Sequence, residues 1–227
     1  MKRVPDDVAV ALLVVAKAPV PGLAKTRLAA VLGDRAAAEI AAAALLDTLD
    51  TVARTPAAAR VVAFTGDLDK ACCADELRTR LADFTVVDQR GPDFAHRLAN
   101  AHADAAAATG NGSVFQIGMD TPQLSSALLA EGMQALRAAP AVLGLARDGG
   151  WWALGVRDAA DAACLQDVPM SRADTGAVTL GALRDTGMNV TLIPELRDVD
   201  TVDDIDDVRA ACPPDSRFAR ATTGVRC

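Results

Sequence analysis

The sequence predicts an α/β fold, a three-layer sandwich with helices on both faces of a mostly parallel, mixed seven-stranded sheet. Apolar strand signals and Ala-rich helical stretches alternate from residue 8 to residue 210, a pattern that builds a largely parallel sheet. One pair of strand signals is joined only by Asp148-Gly149-Gly150. A turn that short connects antiparallel neighbours, which makes the sheet mixed.

Each element has its own signal. Val8–Ala16 is apolar throughout and rich in β-branched residues, as a strand buried on both faces requires, and it is too short to span a membrane. Asp34 can cap an Ala-rich helix running to about Ala53. Arg60–Thr65 reads as the second strand, 69–82 as a helix and Phe84–Val87 as the third strand. A helix over 93–108 ends at the Asn111-Gly112 turn, and Ser113–Gly118 reads as a central buried strand. A helix from Ser125 or Ser126 to Ala138 precedes strands Ala141–Leu145 and Trp151–Val156. A helix near 174–187, the strand Asn189–Ile193 and a helix near 201–211 complete the set. Residues 1–212 are read as one domain, and 213–227, beyond Pro213-Pro214, as a loose tail.

Composition narrows the function. Aromatic residues make up 3% and Tyr is absent, so stacking platforms for single-stranded nucleic acid are lacking. The net charge of −7 argues against nucleic acid and against an anionic membrane surface. Met1-Lys2-Arg3 before an apolar run imitates a secretory signal, but Asp6 and Asp7 interrupt it. Five cysteines, two of them vicinal at Cys72-Cys73, show no Cys-x-x-Cys spacing. That usage fits reduced thiols in the cytoplasm. His96 and His102 have no cysteine partners at zinc spacing.

The chemistry gathers where strands end. The first strand runs into Lys17-Ala-Pro-Val-Pro21-Gly22-Leu-Ala-Lys25-Thr26-Arg27. Ligands of open α/β sheets bind at this carboxyl edge. A loop stiffened by two prolines, opened by Gly22 and armed with Lys25, Thr26 and Arg27 suits a polyphosphate. It is not a Walker A loop, because Ala24 stands before Lys25-Thr26, and no Gly-x-Gly-x-x-Gly follows the strand. Asp120 follows the central strand at the same edge, and Asp198 and Asp200 lie at the last strand-to-helix junction. Mg²⁺ is commonly held by one or two carboxylates together with substrate phosphates, so Asp120 and Asp200 form a candidate pair for Mg²⁺ or Mn²⁺. The acids from Asp203 to Asp207 are explained by the dipole of the helix they begin.

Four segments, Lys17–Leu28, Ile117-Gly-Met-Asp-Thr-Pro122, Asp148-Gly-Gly-Trp151 and Asp198-Val-Asp-Thr201, occur in this order and spacing. Together they resemble the bacterial GT-A-superfamily glycosyltransferase-like proteins, over roughly residues 10–210. The superfamily also contains molybdenum-cofactor guanylyltransferase, phospholactate guanylyltransferase and CMP-Kdo synthetase. The resemblance implies the nucleotide-diphospho-sugar transferase (GT-A) fold. It implies phosphate binding by Lys25 and Arg27 and metal binding by Asp120 and Asp200, with Lys25, Arg27 and Asp120 as the catalytic set. Arg90–Leu98 resembles the Gly-Asp-Leu-x-x-Arg segment, which implies Asp93 and Arg97 near the nucleotide beside Lys17, Pro21, Gly22 and Thr26. Asp148, Gly149 and Gly150 would line the acceptor side, with Trp151 or Trp152 as a wall. Leu23, Gln123 and Pro169-Met-Ser-Arg172 depart from the pattern, the last in the segment that bears on the acceptor.

The expected activity is Mg²⁺-dependent nucleotidyl transfer from a nucleoside triphosphate to a small phosphorylated or hydroxylated acceptor, with a homodimer compatible with the reading. The alternative is glycosyl transfer from a nucleotide-sugar, although an Asp-x-Asp motif is absent at 118–122. A non-catalytic nucleotide-binding module is a third reading. A serine hydrolase is disfavoured because Gly-x-Ser-x-Gly does not occur.

Overall fold

The structure is a computed structural model that describes residues 9–225. Val8, the Met1–Asp7 segment and Cys227 therefore lie outside the described residues. Seven strands form one sheet: β1 (Val10–Lys17), β2 (Ala59–Thr65), β3 (Thr85–Asp88), β4 (Ser113–Ile117), β5 (Ala141–Ala146), β6 (Trp151–Val156) and β7 (Val190–Leu196). Their order is β3-β2-β1-β4-β6-β5-β7. β1 pairs in parallel with β2 and β4, β2 with β3 and β5 with β7, whereas β6 runs antiparallel to both β4 and β5. The mixed, mostly parallel sheet is as expected, and the Asp148-Gly-Gly turn joins the β5–β6 antiparallel pair.

The helices are α1 (Thr26–Leu32), α2 (Asp34–Arg54), α3 (Ala74–Leu81), α4 (Phe94–Thr109), α5 (Ser126–Ala138), α6 (Thr175–Asp185), α7 (Val202–Ala211) and α8 (Arg217–Ala221). Short 3₁₀ segments cover Leu68–Lys70 and Ala159–Asp167. β1 shows why the centre of the sheet is apolar on both faces. Its Leu12, Val14 and Ala16 pack with Leu45, Leu49, Leu77, Leu129 and Leu136 of α2, α3 and α5. Its Leu13 and Val15 join Leu98, Ala101 and Ala105 of α4, Leu165 and Leu183 on the opposite face. Side chains alternating across a strand supply both layers at once. Among the described residues no helix is long and apolar enough to cross a membrane.

Three local expectations need correction. Asp34 is the first residue of α2, not its cap; Gly33, at φ 84°, holds the cap position. The span expected as one helix over 69–82 is divided, because Cys73 turns into the left-handed region (φ 57°) just before α3. Residues 213–225 are not a loose tail. Pro213-Pro214 turns the chain, and α8 folds back so that Phe218 is fully buried with Leu28, Ile40, Ile205 and Val208. Asp47 accepts hydrogen bonds from the Arg217 and Phe218 amides at 3.1 and 2.8 Å, and Arg217 forms ion pairs with Asp50 and Glu76.

Candidate functional site

β1 and β4 are parallel neighbours at the point where the strand order turns, so their carboxyl ends open side by side. The loop after β1 is held firmly. The Ala18 amide donates to the Thr65 carbonyl, and the Cys72 amide donates to Pro19. The Leu23 and Ala24 amides both close on the Val20 carbonyl, with Gly22 at φ 78° supplying the turn. Lys25 then adopts a left-handed conformation, φ 49° and ψ 54°, as the residue before α1. A non-glycine residue held there costs of order 1–3 kcal/mol, and such strain concentrates at functional sites.

That conformation turns the Lys25 ammonium inward. It lies 2.7 Å from Asp120 Oδ2 and also donates to the Val199 carbonyl, leaving the side chain 11% exposed. Two residues on, Arg27 pairs with Asp200. The two loops carrying the carboxylates are themselves joined, the Val199 amide donating to the Asp120 carbonyl at 3.0 Å. Asp200 is fixed at the start of α7, where the Asp204 carboxylate accepts the amides of Asp200 and Thr201 and the Thr201 hydroxyl. Thus the four residues singled out from three separate strand ends are drawn together by two ion pairs and the Val199–Asp120 backbone bond. Asp120 Oδ1 is buried there without a hydrogen-bond partner.

The remaining candidates divide. The Lys17 ammonium folds onto the Leu23 carbonyl at 3.0 Å and braces its own loop, while Pro21, Gly22 and Thr26 are exposed on that loop's rim. Gln89 donates to the carbonyls of Ala16 and Ala63, bringing the 90–97 segment to the same sheet edge. Within it Asp93 caps α4. Its carboxylate accepts the His96 amide at 2.9 Å and faces the ring Nδ1, and these bonds hold its pKa below the usual carboxylate range. Arg97 reaches back to the Gly91 carbonyl at 3.4 Å.

Asp148 accepts the Gly150 amide at 2.8 Å, closing the β5–β6 turn. Gly149 has φ 90°, and a Cβ there would lie 1.8 Å from the Ala173 carbonyl, so this turn is packed against the segment before α6. Trp151 is half-buried, but Trp152 is not a wall of the cleft. It belongs to the core, with its indole N–H on the Pro194 carbonyl at 2.9 Å.

Sequence reasoning placed Asp198 at the same junction as Asp200 but gave it no role. Burial and the nearby Asp148 charge push its pKa up to about 6; Lys25 pulls it down and Asp120 adds to the rise. Asp198 shares the strand-to-helix junction with Asp200, which was the available signal. A cavity of about 500 Å³ lies apart from these four residues, lined by Asp47, Arg54, Pro122, Ser126, Arg217 and Arg220.

The family described as "Uncharacterized protein conserved in bacteria (DUF2064)" matches residues 48–172, more than half of the chain. The chain belongs to this family. No curated protein matches the sequence. Among solved structures, this DUF2064 member is similar to a provisionally assigned nucleotide-diphospho-sugar transferase from Desulfovibrio desulfuricans G20. The TM-score is 0.83 at 26% identity, over 95% of this chain and 96% of that one. The fold is shared at lower identity with 4-diphosphocytidyl-2C-methyl-D-erythritol synthase from Anaerococcus prevotii DSM 20548, with TM-score 0.58, 15% identity and coverage of 89% and 95%. Rv0371c from Mycobacterium tuberculosis, whose structure contains manganese, gives TM-score 0.55 at 18% identity, with coverage of 88% and 97%. The DUF2064 chain therefore has the nucleotide-diphospho-sugar transferase fold.

Proposed function

We propose that this DUF2064 protein is a metal-dependent nucleotidyltransferase, taking a nucleoside triphosphate and a small acceptor that carries a hydroxyl or phosphate group. One observation supports the reading: Lys25 pairs with Asp120 and Arg27 with Asp200 beyond the carboxyl ends of β1 and β4. In the reaction an acceptor oxygen attacks the α-phosphorus and the bond to the β-phosphate breaks, releasing pyrophosphate. Lys25 and Arg27 would neutralise charge on the β- and γ-phosphates, which is where it accumulates as the leaving group departs. The rim residues Lys17, Pro21, Gly22 and Thr26, with Arg97 across the edge, would frame the nucleotide. Asp148, the glycine turn and Trp151 would face the acceptor.

The donor set fits a hard divalent cation. Asp120 Oδ1 is a buried carboxylate oxygen with no hydrogen-bond partner among the described residues, and Asp200 provides a second carboxylate. Among the described residues no group of three or more His, Cys, Asp or Glu is arranged to hold a metal by itself, so phosphate oxygens would complete the shell. Bound Mg²⁺ or Mn²⁺ would supply neutralisation of phosphate charge.

Glycosyl transfer is the second reading, favoured by the provisional assignment of the Desulfovibrio structure. Thermal shift with Mg²⁺ separates the two, since a ligand that binds only the folded state raises stability. Nucleoside triphosphates should stabilise the protein more than nucleotide-sugars or monophosphates at equal concentration. Stabilisation by nucleotide-sugars with no preference for triphosphates overturns the nucleotidyl reading.

A further inference from the structure

The cavity of about 500 Å³ lies between α2, the loop that leaves Asp120 and the returning C-terminal segment. We infer that it is a second ligand site, an effector pocket for a small phosphate monoester that carries hydroxyl groups. The inference does not depend on the reaction proposed above.

The charges on its walls point to the ligand. Asp47 accepts the Arg217 and Phe218 amides and pairs with the Arg217 guanidinium, and Asp50 is held between Arg80 and Arg217. Arg217 is committed to these acids and to Glu76. Arg54, at the end of α2, and Arg220, in α8, line the same space. Their side chains have no hydrogen-bond or ion-pair partner among the described residues. Two uncommitted guanidinium forks beside one cavity suit a phosphate. Asp215, exposed and likewise unpaired among the described residues, also lines the cavity, which rules against a polyanion. Its carboxylate can instead accept from a hydroxyl group. The Ser125 hydroxyl already accepts the Leu128 amide and keeps its own proton to donate. The rest of the ligand is therefore hydroxylated and uncharged, and the volume suits a small molecule.

Occupancy of the cavity would be felt at Asp120. Pro122 and Leu124 line the cavity on the same loop, the Leu124 amide closes on the Thr121 carbonyl, and the Asp120 carbonyl holds the Val199 amide. The hydrogen bonds from this loop to α2 are long. The Thr51 hydroxyl reaches the Leu124 carbonyl, and the Ser126 hydroxyl the Thr51 carbonyl, each at 3.4 Å. A ligand spanning Arg54 and Ser125 ties α2 to the loop. It binds best where the two are drawn together, and so favours the arrangement in which Asp120 and Val199 stay joined.

The test uses the full chain without added metal, with glycerol 3-phosphate, inorganic phosphate and glycerol as probes in calorimetric titrations. Glycerol 3-phosphate should bind at one saturable site, several-fold more tightly than inorganic phosphate, and glycerol should not bind. Arg54→Gln and Arg220→Gln alter exposed side chains without partners among the described residues, so folding is retained. Each should weaken glycerol 3-phosphate binding about five- to tenfold. Lys25→Ala, at the other site, should leave that affinity unchanged. At saturation, deuterium exchange of the Val199 amide should slow by about two- to tenfold. No saturable binding at about 10 mM probe, binding untouched by both arginine variants, or binding lost in Lys25→Ala overturns the inference. Unchanged Val199 exchange at saturation overturns it equally, since the pocket would then not act on the Asp120 loop.

Discussion

Lys25→Ala tests the centre of the proposed site. The substitution removes a charge-assisted contact to Asp120 at 2.7 Å and the donor to the Val199 carbonyl. Breaking a fully buried ion pair costs about 3–5 kcal/mol. Asp120, however, is 35% exposed, so water can take over part of the solvation. An expected loss of about 1–2 kcal/mol in stability follows, a fall in melting temperature of about 2–8 °C for a chain of this size. Adding Asp120→Asn, which removes the stranded charge, should recover about half of that loss in a double-mutant cycle. Ligand binding provides the second arm. Loss of a charged contact to phosphate costs about 1.5–3 kcal/mol, roughly ten- to a hundredfold in affinity. Calorimetry with Mg²⁺ should show that loss for a nucleoside triphosphate and a much smaller one for its monophosphate. Equal losses for both ligands, or unchanged triphosphate affinity, would refute the placing of the terminal phosphates at Lys25.

Asp120→Asn alone keeps shape and removes charge; far-UV circular dichroism should be unchanged, while Mn²⁺ binding in the presence of tripolyphosphate should disappear. His102 is fully buried on α4 beside Gln116, and burial pushes its pKa down to about 4, with Gln116 acting weakly in the opposite direction. Because the unfolded imidazole titrates near 6.5, the unfolded chain binds the proton first as pH falls. Stability is therefore full above about pH 6.5 and falls by up to about 3 kcal/mol by about pH 4. Urea titrations across that range should show the slope, and His102→Leu should flatten it; an identical slope in the variant would clear His102 of the effect. Phe218→Ala should cost about 3–5 kcal/mol in urea unfolding, and a cost below about 1 kcal/mol would return residues 213–225 to the status of a loose tail.

The strands were legible because each carries its pattern in a short span: both faces apolar in β1, a mostly apolar run in β4, a turn between β5 and β6. The meeting of Lys25 with Asp120 and of Arg27 with Asp200 was legible for a related reason, since these residues each follow a strand, and strand ends in such sheets share one edge. What escaped depends on contacts remote in sequence. α8 has five residues and no helical periodicity to read. Its existence follows from Phe218 finding the pocket of α1, α2 and α7 and from Asp47 receiving two amides across some 170 residues. Trp151 and Trp152 are neighbours of the same type, and only strand register sends one to the core. The raised pKa of Asp198 comes from its burial and then from the proximity of Asp148, which arrives from another strand pair.

The sheet order also has a consequence for the growing chain on the ribosome. β1 is flanked by β2 and β4, and β2 and β3 emerge long before β4. Between Lys17, where β1 ends, and Ile117, where β4 ends, 100 residues must be added. At a synthesis rate of about 5–20 residues per second, that interval is roughly 5–20 s. During it one long edge of an apolar strand has no native partner, although the α2 and α3 segments are already available to cover one of its faces. The nascent protein should thus engage hydrophobic-strand-binding chaperones until Ser113–Ile117 emerges and release them soon after. Crosslinking to stalled chains ending on either side of that point would reveal the handover.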